Sequence, residues 1–260
     1  MDAGVKTPLI DFFRRGDVAR DVRLQAAQGA IATRAHEQMA LLAMLTADED
    51  AEVAAAANAT LGLIPPPTLA AFLARTDVPE EMREFFSKRG VAPSEEAPSE
   101  EAAAEADKPM VDTAVGPEIA DEEDDEQSAM QRLQGMTVPQ KMSRAMKGTR
   151  EERAILIRDP NKLISVAVLS SPKLTGSEVE AIAKMSSVSE EILRIISTNR
   201  NWMKSYVVLS ALARNPKTPL PISMNLLNRL NEKDLKVLST NRNVPEVLRT
   251  TARRRVVIDK

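Results

Sequence analysis

The sequence predicts an all-α protein: two α-solenoid-like helical repeat domains joined by a disordered acidic linker. Three observations predict it. The pentapeptide Ser197-Thr198-Asn199-Arg200-Asn201 returns intact at Ser239-Thr240-Asn241-Arg242-Asn243, a shift of 42 residues with helix-forming sequence around each copy. A period near 40 suits stacked groups of helices, because one such group cannot bury its own apolar face. Aromatic residues are scarce, with one Trp, one Tyr and five Phe, so packing rests on Leu, Ile, Val, Ala and Met, which favours helix layers over a sandwich or barrel. Charge is distributed in blocks. Residues 1–89 hold 10 Lys/Arg against 13 Asp/Glu, residues 90–127 hold 1 against 14, and residues 128–260 hold 24 against 11, which together give the net charge of −3.

These blocks set the expected boundaries: an N-terminal helical domain over 1–89, a disordered acidic linker over 90–127, and a basic C-terminal helical repeat domain over 128–260. In the first, Gly29 closes a helix, Asp50 opens the next, and Pro65-Pro66-Pro67 interrupts the pattern. Asp77 with Glu80 reads as a capping box holding Pro79 in the first turn. The middle block carries Pro93, Pro98 and Pro109 and ends in the acidic run Asp121 to Glu126. Such a composition buries too little apolar surface to offset chain ordering. As a flexible coil, its 38 residues would span about 35 Å.

In the last block, Asn161, Asn201 and Asn243 each precede a helix-forming run. Ser171-Pro172-Lys173 and Asn215-Pro216-Lys217 open a second series, with Thr175 and Thr218 as expected caps. Ser187 and Asn231 open a third, with Glu190 and Asp234 three residues on. Three helix starts per period predict triplets of short helices. Val179, Ile182 and Met185, then Ile192, Leu193, Ile195 and Ile196, then Val207, Val208 and Leu212, then Leu226, Leu227 and Leu230 are their expected inward faces. The methionines Met130, Met136, Met142, Met146, Met185, Met203 and Met224 read as core filler. Asn243 to Arg249 echoes Asp77 to Arg83, so one closing helix is expected in both domains.

Two resemblances bear on these segments. Asp48 to Ala57 resembles the turn and second helix of a HEAT repeat, departing from it at Ala54, where that pattern carries an arginine. Residues 130–256, with Ile157-Arg158-Asp159-Pro160-Asn161-Lys162 opening the block, are similar to a family of bacterial helical-repeat proteins. The triplet count is armadillo-like. These resemblances imply a fold, and carry no activity, catalytic residue or ligand with them.

Reactive chemistry finds little support. There is no cysteine, which removes disulfides and thiolate sites and fits a reducing compartment. His36 is the single histidine and reads as a surface or first-turn residue. No Gly-x-Ser-x-Gly elbow, phosphate loop or dinucleotide fingerprint occurs. The acidic run lacks the alternating ligands and glycine of a calcium loop. No catalytic, cofactor-binding or metal residue is therefore expected. With no basic-then-apolar leader and no apolar run of about 18 residues, the expected location is the cytoplasm.

The expected site is a surface. Stacked turns would align Arg200 with Arg242 and Lys173 with Lys217, and Arg253, Arg254 and Arg255 close the chain's basic end. Asn199 and Asn241 read as left-handed helix ends whose amides satisfy orphan carbonyls. Trp202 and Tyr206, four apart, are expected on one helix face as core, or, where exposed beside Arg200 and Lys204, as a stacking platform. The expected function is a non-enzymatic adaptor or scaffold binding an acidic or helical segment of a partner protein. Nucleic-acid binding is the alternative, and the linker could shield the basic face in cis.

Overall fold

The structure is a computed structural model that describes residues 5, 7–16, 18–32, 34–94, 109–111 and 126–258. These residues form sixteen α-helices and two 3-10 turns, with no strand among them. They group into two compact units, the first comprising Met1–Arg153 with Asn161–Pro172, the second Ala154–Pro160 with Lys173–Lys260.

The first unit holds α1 (Pro8–Arg14), α2 (Arg20–Ala27), α3 (Ala35–Leu45), α4 (Ala51–Gly62), α5 (Pro66–Leu73), α6 (Glu80–Ser87), α7 (Glu126–Leu133), α8 (Val138–Lys147), most of α9 (Arg150–Leu156) and α10 (Lys162–Leu169). Two of these helices are buried almost all round, the condition of a central helix. In α3 only His36 and Met44 are not buried, and in α10 every residue from Leu163 to Leu169 is. α3 packs on α2 and α4, and α10 packs on α8 and α1. The unit boundary thus differs from the expected division at residue 128. The apolar run of α10 needs cover on several sides and finds it in α8 and α1, so helices on both sides of the linker build one core.

Local signals place most helix ends as expected. Thr7 caps α1, Asp50 accepts the N–H groups of Glu52 and Val53 at 2.9 and 3.3 Å to open α4, and Gly29 ends α2 at φ +82°. The Asp77–Glu80 box does not form. α6 starts at Glu80 with Pro79 as cap residue, and Asp77 turns instead to Arg75, whose Nη2 stands 2.9 Å away. That hydrogen bond holds the Asp77 carboxyl below its ordinary value. His36, in the first turn of α3, is half-buried edge-on against Phe72 rather than at the surface.

The linker expectation changes in part. Residues 95–108 and 112–125, with the acidic run up to Asp125, lie outside the described residues. Met110 and Val111 are hydrogen-bonded to Gln38, and Ser94 N–H donates to the Ala70 carbonyl at 3.0 Å, so these two stretches are fastened to the first unit, while Glu126 and Gln127 begin α7.

The second unit holds α11 (Gly176–Lys184), α12 (Glu190–Thr198), a 3-10 turn at Trp202–Lys204, α13 (Tyr206–Arg214), α14 (Leu220–Leu226), a 3-10 turn at Leu227–Arg229, α15 (Glu232–Thr240) and α16 (Glu246–Ile258). Successive helix starts recur, α11 to α14 at 44 residues, α12 to α15 at 42 and α13 to α16 at 40. The interval falls from 42 to 40 because the connection from α12 to α13 is two residues longer than its counterpart. Equivalent residues make equivalent bonds. Glu190 pairs with Arg194 and Glu232 with Lys236, Ser197 and Ser239 donate to the main chain three residues back, and Asn199 and Asn241 each accept a backbone N–H two residues on.

Candidate partner-binding surface

One connector recurs at residues 75–80, 185–190, 215–220 and 241–246: two turn residues, a bend, a cap residue, then a helix. Its bend residue is buried each time, as Val78, Val188, Thr218 and Val244. In three of the four a proline follows, which drives the preceding residue to the extended region that β-branched side chains favour. The match between Asp77–Arg83 and Asn243–Arg249 is this shared connector. It also moves two expected caps. Thr218 is buried behind Pro219, which stands at the cap position, and α12 starts after Ser189 rather than at Ser187. Thr175 with Glu178 and Asn231 with Asp234 do cap their helices.

Asn199, Asn215 and Asn241 end α12, α13 and α15 with extended backbone, ψ 111°, 123° and 110°. The left-handed ends expected at Asn199 and Asn241 are absent: no non-glycine residue has positive φ among the described residues. The side chains accept rather than donate. Asn199 Oδ1 takes the N–H of Asn201 at 3.0 Å and Asn241 Oδ1 that of Asn243 at 3.0 Å, the Asx turn that competes with helix continuation. Asn215 adds more, being buried: its Oδ1 accepts from Lys217 N–H while its Nδ2 donates to the carbonyls of Ala183 and Met185 at 2.8 and 2.9 Å.

These turns carry the expected cations. Arg200 and Arg242 each follow the terminal asparagine, Lys217 stands two residues past Asn215, and all three side chains are exposed with no ion pair among the described residues. Lys173 is half-exposed, Lys204 Nζ reaches Asn201 Oδ1 at 3.3 Å, Arg253 donates to Ser239 O at 3.4 Å, Arg254 is exposed and Arg255 half-exposed. Cations on the helix faces are engaged differently. Arg194 and Lys236 pair with carboxylates one turn back, Arg214 with Asp234 at 2.6 Å, and Arg229 donates to Met203 O. Charge is thus neutralised at Arg194, Arg214 and Lys236 and left unpaired, among the described residues, at Arg200, Lys217 and Arg242.

Trp202 and Tyr206 do not share a helix. Ser205, extended at ψ 119°, accepts the Val208 N–H and opens α13, so Trp202 stays in the 3-10 turn while Tyr206 begins the helix. Trp202 is half-buried. Tyr206 is 40 % exposed, yet its hydroxyl donates to Asp234 and accepts Asn231 N–H at 3.0 Å. Desolvation, with Asp234 beside it, holds the phenol above its ordinary value. Its role is to brace α13 against α15. Val207, expected inward, is 40 % exposed, and so is Met130 at 53 %, whereas Met142, Met146 and Met203 are core.

Two buried polar groups escaped the sequence reading. Glu152, wholly buried, accepts Thr149 N–H at 3.1 Å and stands 3.5 and 3.6 Å from Arg132 and Arg144. The signal was present as Thr149-x-x-Glu152, a capping box. Gln38 stands just ahead of the apolar run Met39 to Leu45 of α3, and nothing in the sequence there names its partner. A cleft of about 500 Å³ in the first unit, with Phe13, Met44 and Leu45 in its lining, carries the Arg23–Asp48 ion pair at 2.9 Å. No helix among the described residues is long and apolar enough to cross a membrane, and no cluster of His, Asp or Glu there could hold a metal ion. The chain matches no family model, and no curated protein or solved structure is similar to it.

Proposed function

We propose that this chain is a non-enzymatic, cytoplasmic adaptor whose second unit, a short HEAT- or armadillo-like array, binds an acidic or helical segment of a partner protein. The observation that supports this reading is that Arg200, Lys217 and Arg242 are exposed in turns with no ion pair among the described residues, whereas Arg194 and Arg214 pair with carboxylates. The second unit holds 17 Lys/Arg against 9 Asp/Glu, a net of +8. Lys173, Lys204 and Arg253 to Arg255 extend the basic surface. The linker, with 14 acidic residues against one lysine, would compete for it in cis at an effective concentration on the order of millimolar.

One observation favours nucleic acid as a second reading: Trp202 is partly exposed between Arg200 and Lys204, a stacking surface with cations on both sides. Both readings are tested on the full chain carrying Arg200→Glu, Lys217→Glu and Arg242→Glu together. Stability should stay within about 0.5 kcal/mol, since these side chains touch nothing the fold needs. Capture of a discrete protein that survives nuclease and is lost in the triple variant supports the adaptor. Nuclease-sensitive capture, with a steep loss of affinity as salt rises, would transfer the assignment to nucleic acid. Capture unchanged by the triple variant removes this surface from either role.

A further inference from the structure

The geometry points to a peptide-binding site in the first unit, in which Gln38 and Gly29 receive a bent main-chain segment bearing a small apolar side chain and Met110–Val111 of the chain's own linker is the resident occupant. Gln38 is 1 % exposed, near the start of α3. Its Oε1 accepts the N–H groups of Met110 at 2.7 Å and Val111 at 3.0 Å. Its Nε2 donates to the carbonyls of Val111 at 2.7 Å and Gly29 at 3.1 Å. A glutamine amide offers two donors and two acceptor sites. All four are used here, three of them on the linker.

The partners lie 72 and 73 residues from Gln38, so no local preference brings them together. Without the linker this buried amide would keep one partner of four, an arrangement that native proteins avoid. Gly29 supplies a second, independent observation. Its φ of +82° serves the turn after α2, and a Cβ there would stand 3.3 Å from Gln38 Nε2 and 3.5 Å from Val111 Cβ. Val111 therefore lies directly against Gly29, and its side chain is buried. Recognition through two successive N–H groups and a C=O reads a bent backbone, with the valine seat as the one side-chain requirement. The linker is therefore fastened at an interior point, and any other segment reaches this seat only by displacing Met110–Val111.

The test uses the full chain, Val111→Asp, which alters only the occupant, and Gln38→Leu, which removes the amide. Hydrogen exchange at the Met110 and Val111 amides should be slowed at least about tenfold against free-peptide rates in the wild-type chain, and released in both variants. A fluorescent peptide with the sequence of residues 107–113 should bind the Val111→Asp chain at least about tenfold more tightly than the wild type, whose seat is filled. Free-peptide exchange rates at these two amides in the wild type overturn the site, and so do equal peptide affinities for the wild type and Val111→Asp. Should Gln38→Leu fail to fold, Val111→Asp decides alone.

Discussion

The two units solve the problem of ending and joining helices in opposite ways. In the first, polar side chains reach main chain beyond their own helices, Gln38 to Val111 and Arg83 to the carbonyls of Leu73 and Arg75, while the buried capping carboxylate Glu152 also draws in Arg132. Each is singular. In the second, short-range caps and Asx turns recur at 44, 42 and 40 residues with the same bonds at equivalent positions. The lesson is that the first unit is specified by contacts, the second by grammar. A change in the first should act through what it touches, and a change in the second through how buried its copy of the motif is.

Gly148→Ala should give the largest effect. A Cβ at Gly148 would fall 2.1 Å from Glu152 Oε2 and 2.4 Å from Arg144 O, so the buried carboxylate must move. We expect a loss of about 3 kcal/mol, read as a lower denaturant midpoint by circular dichroism. Trp202, the single tryptophan, lies in the second unit. Its fluorescence midpoint should shift less, and an equal shift would erase the distinction between the units. Asn215→Ala comes next, at about 2 kcal/mol, because it orphans the Ala183 and Met185 carbonyls as well as the turn. Asn199→Ala and Asn241→Ala, at half-exposed copies, should each cost about 0.5–1 kcal/mol. Equal losses at all three asparagines would show that burial does not rank the copies.

Acid should act on the first unit through Asp77. Its carboxyl is held below the ordinary 3.8 by Arg75, so its contribution is present above that pH and is lost as pH falls through the folded value. Asp77→Asn should flatten the decline in stability below about pH 4 in a denaturant series. The smallest effect is a gain: Gly176 has open space around its Cβ position and no positive φ, so Gly176→Ala should stabilise by about 0.5 kcal/mol. Set beside Gly148→Ala, it is the sharpest single contrast between the units.

Several helix ends were legible from a short motif, whereas Asp77, Ser187 and Thr218 are not the caps their motifs suggested. Asp50, Gly29, and Thr175 with Glu178 all act within four residues, as did the recurrence of the Asn199 and Asn241 turns. The sense of those turns was not legible, because asparagine serves both left-handed and Asx geometries and the choice depends on the extended ψ set by the following connector. Trp202 and Tyr206 looked like one face, since Ser205 can sit inside a helix as well as cap one. The unit boundary was hidden for a different reason. The linker's composition is conspicuous, whereas the need of α10 for cover on several sides is visible only in the run Leu163 to Leu169, and nothing in that run says which helices supply it. Arg200, Lys217 and Arg242 are exposed, and their freedom from ion pairing among the described residues depends on where the carboxylates of other helices fall.

Of the nine glycines, a single one, Gly176, falls between Lys173 and Lys260. Every turn there is made with ordinary backbone angles. A loop that demands glycine is closed to variation, since few other residues accept its conformation. Loops built on asparagine, proline and a buried valine leave their outermost positions open to almost any amino acid. Selection could rewrite those positions from cation to anion or aromatic without disturbing the frame beneath, which makes the second unit an evolvable recognition platform.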